Sequence, residues 1–175
     1  ADADFLNLGG FPAPLVSGRK EQLTKWCDQY VTRLVAEDVR DFSKVSQLDK
    51  VEMLVRLLPG RAMSPLSFQS LSEDLECSRE TVKNWMRILE IAYLGFFVRP
   101  YSKDVHRAVK KEAKWYFFQW ALQEEPAAAF ENYLAVQLLT ACQYWRDQGF
   151  GRYELHYLRD QDRREIDFVI TKNLK

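Results

Sequence analysis

Arg79, Lys83 and Arg87 stand four residues apart, and that spacing is the first feature of the chain that points to chemistry. At 100° per residue they fall at about 0°, 40° and 80° around a helix, with Asn84 at about 140°. Val82, Trp85, Met86, Ile88 and Leu89 fall at about 180° to 340°. A helix so patterned presses its apolar side onto a core and turns a cationic stripe to solvent, where it suits the groove of a DNA duplex. Glu80 and Glu90 dilute the stripe. A second cationic patch follows. Arg99, Lys103, Arg107, Lys110, Lys111 and Lys114 face only Asp104 and Glu112, a formal net charge of +4. Such side chains contact phosphates without choosing a base sequence, and His106 adds to them at low pH. Both patches are equally open to a blander reading, as solvated surfaces or as a protein-docking face.

Asp167 poses a different question. It lies among Ile166, Phe168, Val169 and Ile170, and a carboxylate in so apolar a run needs a cation or a hydrogen-bond donor. Arg163 and Arg164 are the candidates at hand. Other constellations are thin. His106 and His156 are isolated, and no Ser/His/Asp arrangement is readable. Cys27, Cys77 and Cys142 are scattered and odd in number, which fits buried apolar thiols in a reducing cytoplasm better than a disulfide framework or a zinc knuckle. The five tryptophans are read as core and interface packing rather than a base-stacking platform.

The elements that must carry these residues follow from periodicity. Leu23, Trp26, Cys27, Tyr30, Val31, Leu34 and Val35 mark an amphipathic helix over about 20–40. Ser43 or Ser46 is placed to cap a second helix bearing Leu48, Val51, Leu54, Val55 and Leu58, which Pro59-Gly60 stops. Phe68 to Glu76 gives a short helix. Ser78 caps the next one, from Arg79 to about Ala92. Tyr93–Tyr101 and Trp115–Phe118 read as two strands of a hairpin. Helix, turn, helix and hairpin make the winged form of helix-turn-helix. Beyond Pro126, Phe130–Trp145 is apolar over most of its circumference and is expected to be buried. Two strands close the chain, Tyr153–Leu158 and Arg164–Ile170, around a polar turn at Asp160–Arg163. The second has no partner after it, so the sheet reads as incomplete.

Composition sets the frame. The chain has 175 residues, with 25 Lys+Arg against 25 Asp+Glu. That excludes a globally basic nucleic-acid binder, so any such contact must be local. At 47% hydrophobic and 29% charged it is globular rather than disordered. No apolar run reaches the roughly 18 residues that span a bilayer, and ADADFLNLGG is not a signal peptide. Both ends look cut from a longer protein.

Several pieces, in order, carry a resemblance over nearly the whole chain. They are Gly9-Gly10-Phe11-Pro12, YVTRLVAED from Tyr30, and ECSRETVKNWMRILEIAYLGFFVRPY from Glu76 to Tyr101. KKEAKWYF from Lys110, FENYLAVQLL from Phe130 and REIDFVI from Arg164 complete the set. Together they resemble the uncharacterised C-terminal region that follows a AAA-type P-loop ATPase module in many prokaryotic proteins. One departure is Gln119, where that family commonly has Asp. The resemblance implies a fold that is α+β and mainly helical: a winged helix-turn-helix followed by an incomplete α/β restriction-nuclease-like unit of the PD-(D/E)xK type. Residues 1–43 would be the end of the ATPase module and a helical linker, 44–122 the winged helix and 123–175 the partial nuclease-like domain.

The resemblance also implies roles. Glu131 and Asp167 would be the catalytic acids and the ligands of a Mg²⁺ ion. The lysine that orients water would come from a later acid-x-Lys strand, so this stretch is expected to be catalytically dead. Glu131 could instead cap its helix, and Glu165 is assigned to the strand face opposite Asp167. No GxxxxGK[ST] occurs here, so ATP and Mg belong to the parent protein and no cofactor is expected in this stretch. Arg79, Lys83, Asn84, Arg87, Lys103, Arg107, Lys110 and Lys111 are the expected nucleic-acid contacts. The expected function is a nucleic-acid-binding module of a P-loop ATPase. The alternatives are a protein-interaction or oligomerisation module of that ATPase, or the remnant of a metal-dependent nuclease. The expected partners are double-stranded DNA and the ATPase module in cis. A homo-oligomer is left open, and no membrane is expected.

Overall fold

A computed structural model describes residues 2–39, 47–102, 112–160, 162 and 164–173. The chain opens with α1 (Asp2–Leu8), α2 (Pro12–Ser17) and α3 (Lys20–Arg33), which runs into a π-helical turn over Leu34–Val39. Then come α4 (Leu48–Leu57), α5 (Phe68–Asp74) and α6 (Arg79–Ile91). Strands β1 (Gly95–Pro100) and β2 (Lys114–Phe117), a 3-10 turn (Trp120–Leu122), the long α7 (Pro126–Asp147), β3 (Tyr153–Arg159) and β4 (Glu165–Lys172) complete the fold. The fold is thus α+β, with a four-stranded mixed sheet. Ser43 and Ser46, the expected caps of α4, lie outside the described residues. Gln47 precedes α4 and makes no side-chain cap bond.

Helices α5 and α6 are separate because Leu75–Ser78 breaks them. Glu76 turns the chain through φ 47°, and the Ser78 hydroxyl accepts the Thr81 N–H at 3.0 Å. That bond satisfies one of the donors left open at a helix start. The apolar side of α6 is buried as the periodicity requires: Val82, Trp85, Met86, Ile88 and Leu89 join Leu54, Val55, Leu58, Leu71 and Leu75 in a helical core. Trp85 is 4% exposed.

The sheet has the order β2-β1-β3-β4. β1 pairs antiparallel with β2 through Gly95–Val98. At its far end it pairs parallel with β3 through Arg99 and Pro100. A single strand therefore serves two ladders, and it joins the first hairpin to the second. Alternation divides β2 between two cores. Trp115 and Phe117 enter the helical core. Tyr116 turns the other way, with Phe96 and Val98, onto a second core built with Ala135, Cys142, Leu155 and Tyr157. Gly95 allows this close pairing, because a Cβ there would meet the Tyr116 carbonyl oxygen at 2.3 Å.

Helix α7 is not buried all round, contrary to the expectation from its composition. Asn132, Ala135 and Cys142 form its buried side, while Phe130 is 48% and Tyr144 58% exposed. Aromatic bodies with one wet edge tolerate such positions. The N-terminal segment packs on the turn after β2: Trp120 Nε1 donates to the Leu6 carbonyl at 2.9 Å, and the buried Gln119 amide lies against Leu8 and Gly9. Among the described residues no helix is long and apolar enough to cross a membrane.

Candidate functional site

The two carboxylates that the resemblance singled out bond to neighbouring side chains on one face of β2, Asp167 to Lys114 and Glu131 to Tyr116. Lys114 opens β2 on the α7 side of the sheet, two residues before Tyr116. Its side chain is 1% exposed, yet it carries a charge. Its Nζ donates to Asp167 Oδ1 at 2.9 Å and stands 2.5 Å from Glu165 Oε1. It also lies over the Tyr157 ring, 5.4 Å from the centroid, a favourable place for a cation. Tyr116, on the same strand face, donates its hydroxyl to Glu131 Oε1 at 2.8 Å. The cluster thus gathers side chains from β2, α7 and β4.

Three local devices hold it. The first fixes α7. Asn132 Oδ1 accepts the Phe117 N–H at 2.9 Å, and its Nδ2 donates to the Phe117 carbonyl at 2.6 Å. Because β2 is an edge strand, those two backbone groups face away from β1, and the Asn132 amide takes the place of a further strand. With Asn132 fixed, Glu131 is set on Tyr116. The second device is a bulge in β4. Leu155 pairs with Ile170 and His156 with Val169, but Leu158 pairs with Ile166 and Arg159 with Glu165. Asp167 and Phe168 together therefore oppose Tyr157, and a bulge of this kind re-aims side chains. Phe168 packs on Tyr116 while Asp167 meets Lys114. The third device is the Tyr157 hydroxyl, which donates to the Glu112 carbonyl at 2.6 Å and ties the approach to β2 onto β3.

Charge follows burial. Burial alone would lower the Lys114 pKa, but its hydrogen bonds to Glu165 and Asp167 more than offset this and hold it above the ordinary lysine value. Burial raises the Glu131 carboxyl above the usual range, against the Tyr116 hydrogen bond and the Lys114 charge, which lower it. Burial and the neighbouring Glu131 push the Tyr116 hydroxyl up as well.

Several expectations need correction. Glu165 does not face away from Asp167. Residues two apart on a strand share a face, and both carboxylates reach Lys114. Lys114 is no solvated phosphate contact. Glu131 does not cap its helix either, since Glu125 does so, accepting the Ala128 N–H at 2.7 Å. Arg164 pairs with Asp160 and Asp162 rather than Asp167, and Arg163 lies outside the described residues. Sequence reasoning missed Lys114, Tyr116, Glu165 and Asn132 as a set. One signal was present: a lysine at the head of the apolar run KWYF needs a partner for the same reason that Asp167 does.

The cationic face of α6 is separate from this cluster. Arg79, Lys83, Asn84 and Arg87 are all exposed, and Lys83 makes a solvent-side contact with Glu80 at 3.3 Å. Lys103, Arg107, Lys110 and Lys111 lie outside the described residues.

The Mg²⁺ that the resemblance implies does not fit the cluster as arranged. Among the described residues no three His, Cys, Asp or Glu side chains converge closely enough to hold a metal ion. The Lys114 ammonium also already occupies the inner side of Asp167 and Glu165.

An α+β chain with a mixed sheet and a buried Lys–carboxylate cluster is the class that fold and site define. Over residues 3–124 it matches the model of a family described as domain of unknown function DUF8612, and the chain belongs to that family. It is similar to the uncharacterized protein MJ1637 of Methanocaldococcus jannaschii, at 29% identity over 112 residues. That match takes in 63% of this chain and 23% of the archaeal protein's own length. No solved structure matches.

Proposed function

We propose that this chain is a nucleic-acid-binding piece of a P-loop ATPase, in which α5, α6 and the β1–β2 hairpin act as a winged helix. The observation that carries the reading is the sidedness of α6. As the second helix of a helix–turn–helix pair, it buries Val82, Trp85, Met86 and Leu89 and leaves Arg79, Lys83 and Arg87 in water. An exposed cationic helix of this kind gains affinity by displacing counterions from phosphates. Arg99 is exposed at the end of β1, and Lys103, Arg107, Lys110 and Lys111 would extend the footprint. The ATPase module itself enters by resemblance alone.

The test is fluorescence anisotropy with a labelled duplex across a salt series. About four phosphate contacts predict a log–log slope near −3.6. Lys83→Glu with Arg87→Glu is expected to weaken binding and flatten the slope by about 1.8. Absence of binding at low salt would move the reading to a protein-interaction module, whose contacts the same stripe would serve.

A second reading is favoured by one observation. Glu131 and Asp167 share one cluster beside a bulged strand, as the remnant of a nuclease-like unit would have it. Clean protein that leaves a supercoiled plasmid intact with Mg²⁺ present is the expected result. Cleavage abolished by Asp167→Ala would show an active enzyme instead.

A further inference from the structure

We propose that Lys114 is the resident cation of the carboxylate cluster, standing on Asp167 and Glu165 where a nuclease-like site would carry a divalent ion. Three acidic side chains, Glu131, Glu165 and Asp167, crowd one end of the sheet. Such a group needs positive charge to be stable. The chain supplies it from within. The Lys114 side chain is 1% exposed, its Nζ lies over the Tyr157 ring, and the same Nζ reaches two carboxylates at 2.5 and 2.9 Å. The Asp167 side chain is 54% exposed, so the cluster is reached from solvent, while Lys114 offsets one of its negative charges from within. An ammonium fixed by the fold differs from a metal in two ways: it cannot dissociate, and it offers no open coordination position.

The inference does not rest on DNA binding and holds whatever the parent protein does. It gives a reason why the acids that the resemblance singles out need not bind Mg²⁺: at Asp167 the ion would have to displace a buried lysine.

Two measurements test it on the whole 175-residue chain. In ¹H–¹⁵N spectra selective for lysine ammonium groups, one slowly exchanging signal is expected. It should vanish in Lys114→Met and shift in both Asp167→Asn and Glu165→Gln. In a Mn²⁺ titration followed by water-proton relaxation, the unaltered protein is expected to show no Asp167-dependent binding. Lys114→Met, freed of one positive charge at the acids, is expected to bind Mn²⁺ at least about tenfold more tightly, and adding Asp167→Asn should abolish the gain. Asp167-dependent Mn²⁺ binding by the unaltered protein would overturn the proposal. So would a folded Lys114→Met variant without the gain. If Lys114→Met does not fold, the unaltered titration and the two carboxylate variants decide alone.

Discussion

At Lys114 the arithmetic of a buried charge is exposed. Both partners hold the ammonium, so losing one is tolerable and losing both is not. Glu165→Gln with Asp167→Asn leaves an uncompensated buried cation and should cost about 3–5 kcal/mol in urea unfolding. Lys114→Met keeps the stem and leaves carboxylates that can rehydrate, for about 1–3 kcal/mol. The pH dependence has a definite sign. Because the folded-state pKa of Lys114 is raised, its contribution is fully present below the ordinary lysine value of 10.5 and is lost as pH climbs through the folded value. Alkaline unfolding should therefore be less steep in Lys114→Met. Glu131 has the same sign in a lower pH window. A raised carboxyl makes stability fall as pH rises above its ordinary value of 4.5, so Glu131→Gln should flatten that part of the profile. At this scale the sequence was half readable. Asp167 announced that it needs a partner, but the partner is 53 residues away, and no local spacing names it.

Helix α6 and helix α7 illustrate opposite outcomes of the same periodicity argument. In α6 the apolar and cationic residues separate cleanly by angle, so the buried face could be read directly, down to Trp85 inside and Lys83 outside. Trp85→Ala should cost about 3–5 kcal/mol, whereas Lys83→Glu should stay within about 0.5 kcal/mol in the same assay. In α7, apolar residues are spread around the circumference, and composition could not distinguish a buried helix from one lying on a sheet. What settles its position is polar. Asn132, fully buried, completes the backbone bonding of the edge strand β2. Asn132→Ala would strand a buried N–H and C=O, costing about 2–4 kcal/mol. Asn132→Asp, which retains the acceptor and loses the donor, should cost less than the alanine only at low pH. The β4 bulge was equally hidden, since it is a property of pairing with β3 and not of the β4 residues alone.

For the molecule as a whole, the parallel contact of β1 with β3 matters most. It makes one sheet of two hairpins that are far apart in the chain, and it brings the edge strand β2 within reach of β4. Helix-and-hairpin order was legible because it is local; this pairing was not, because loop-closing contacts leave no mark on short windows. The result is a protein with two unlike charged features: an inward cluster in which one buried ammonium is shared by two carboxylates, and an outward cationic stripe on α6. Reversing charge at two places tests the role of the stripe most directly. Duplex affinity at low salt would be compared for Lys83→Glu with Arg87→Glu and for Arg146→Glu, an exposed cation at the end of α7. The account predicts a drop of about tenfold or more in the first and little change in the second. Equal losses in both, or none in either, would contradict it.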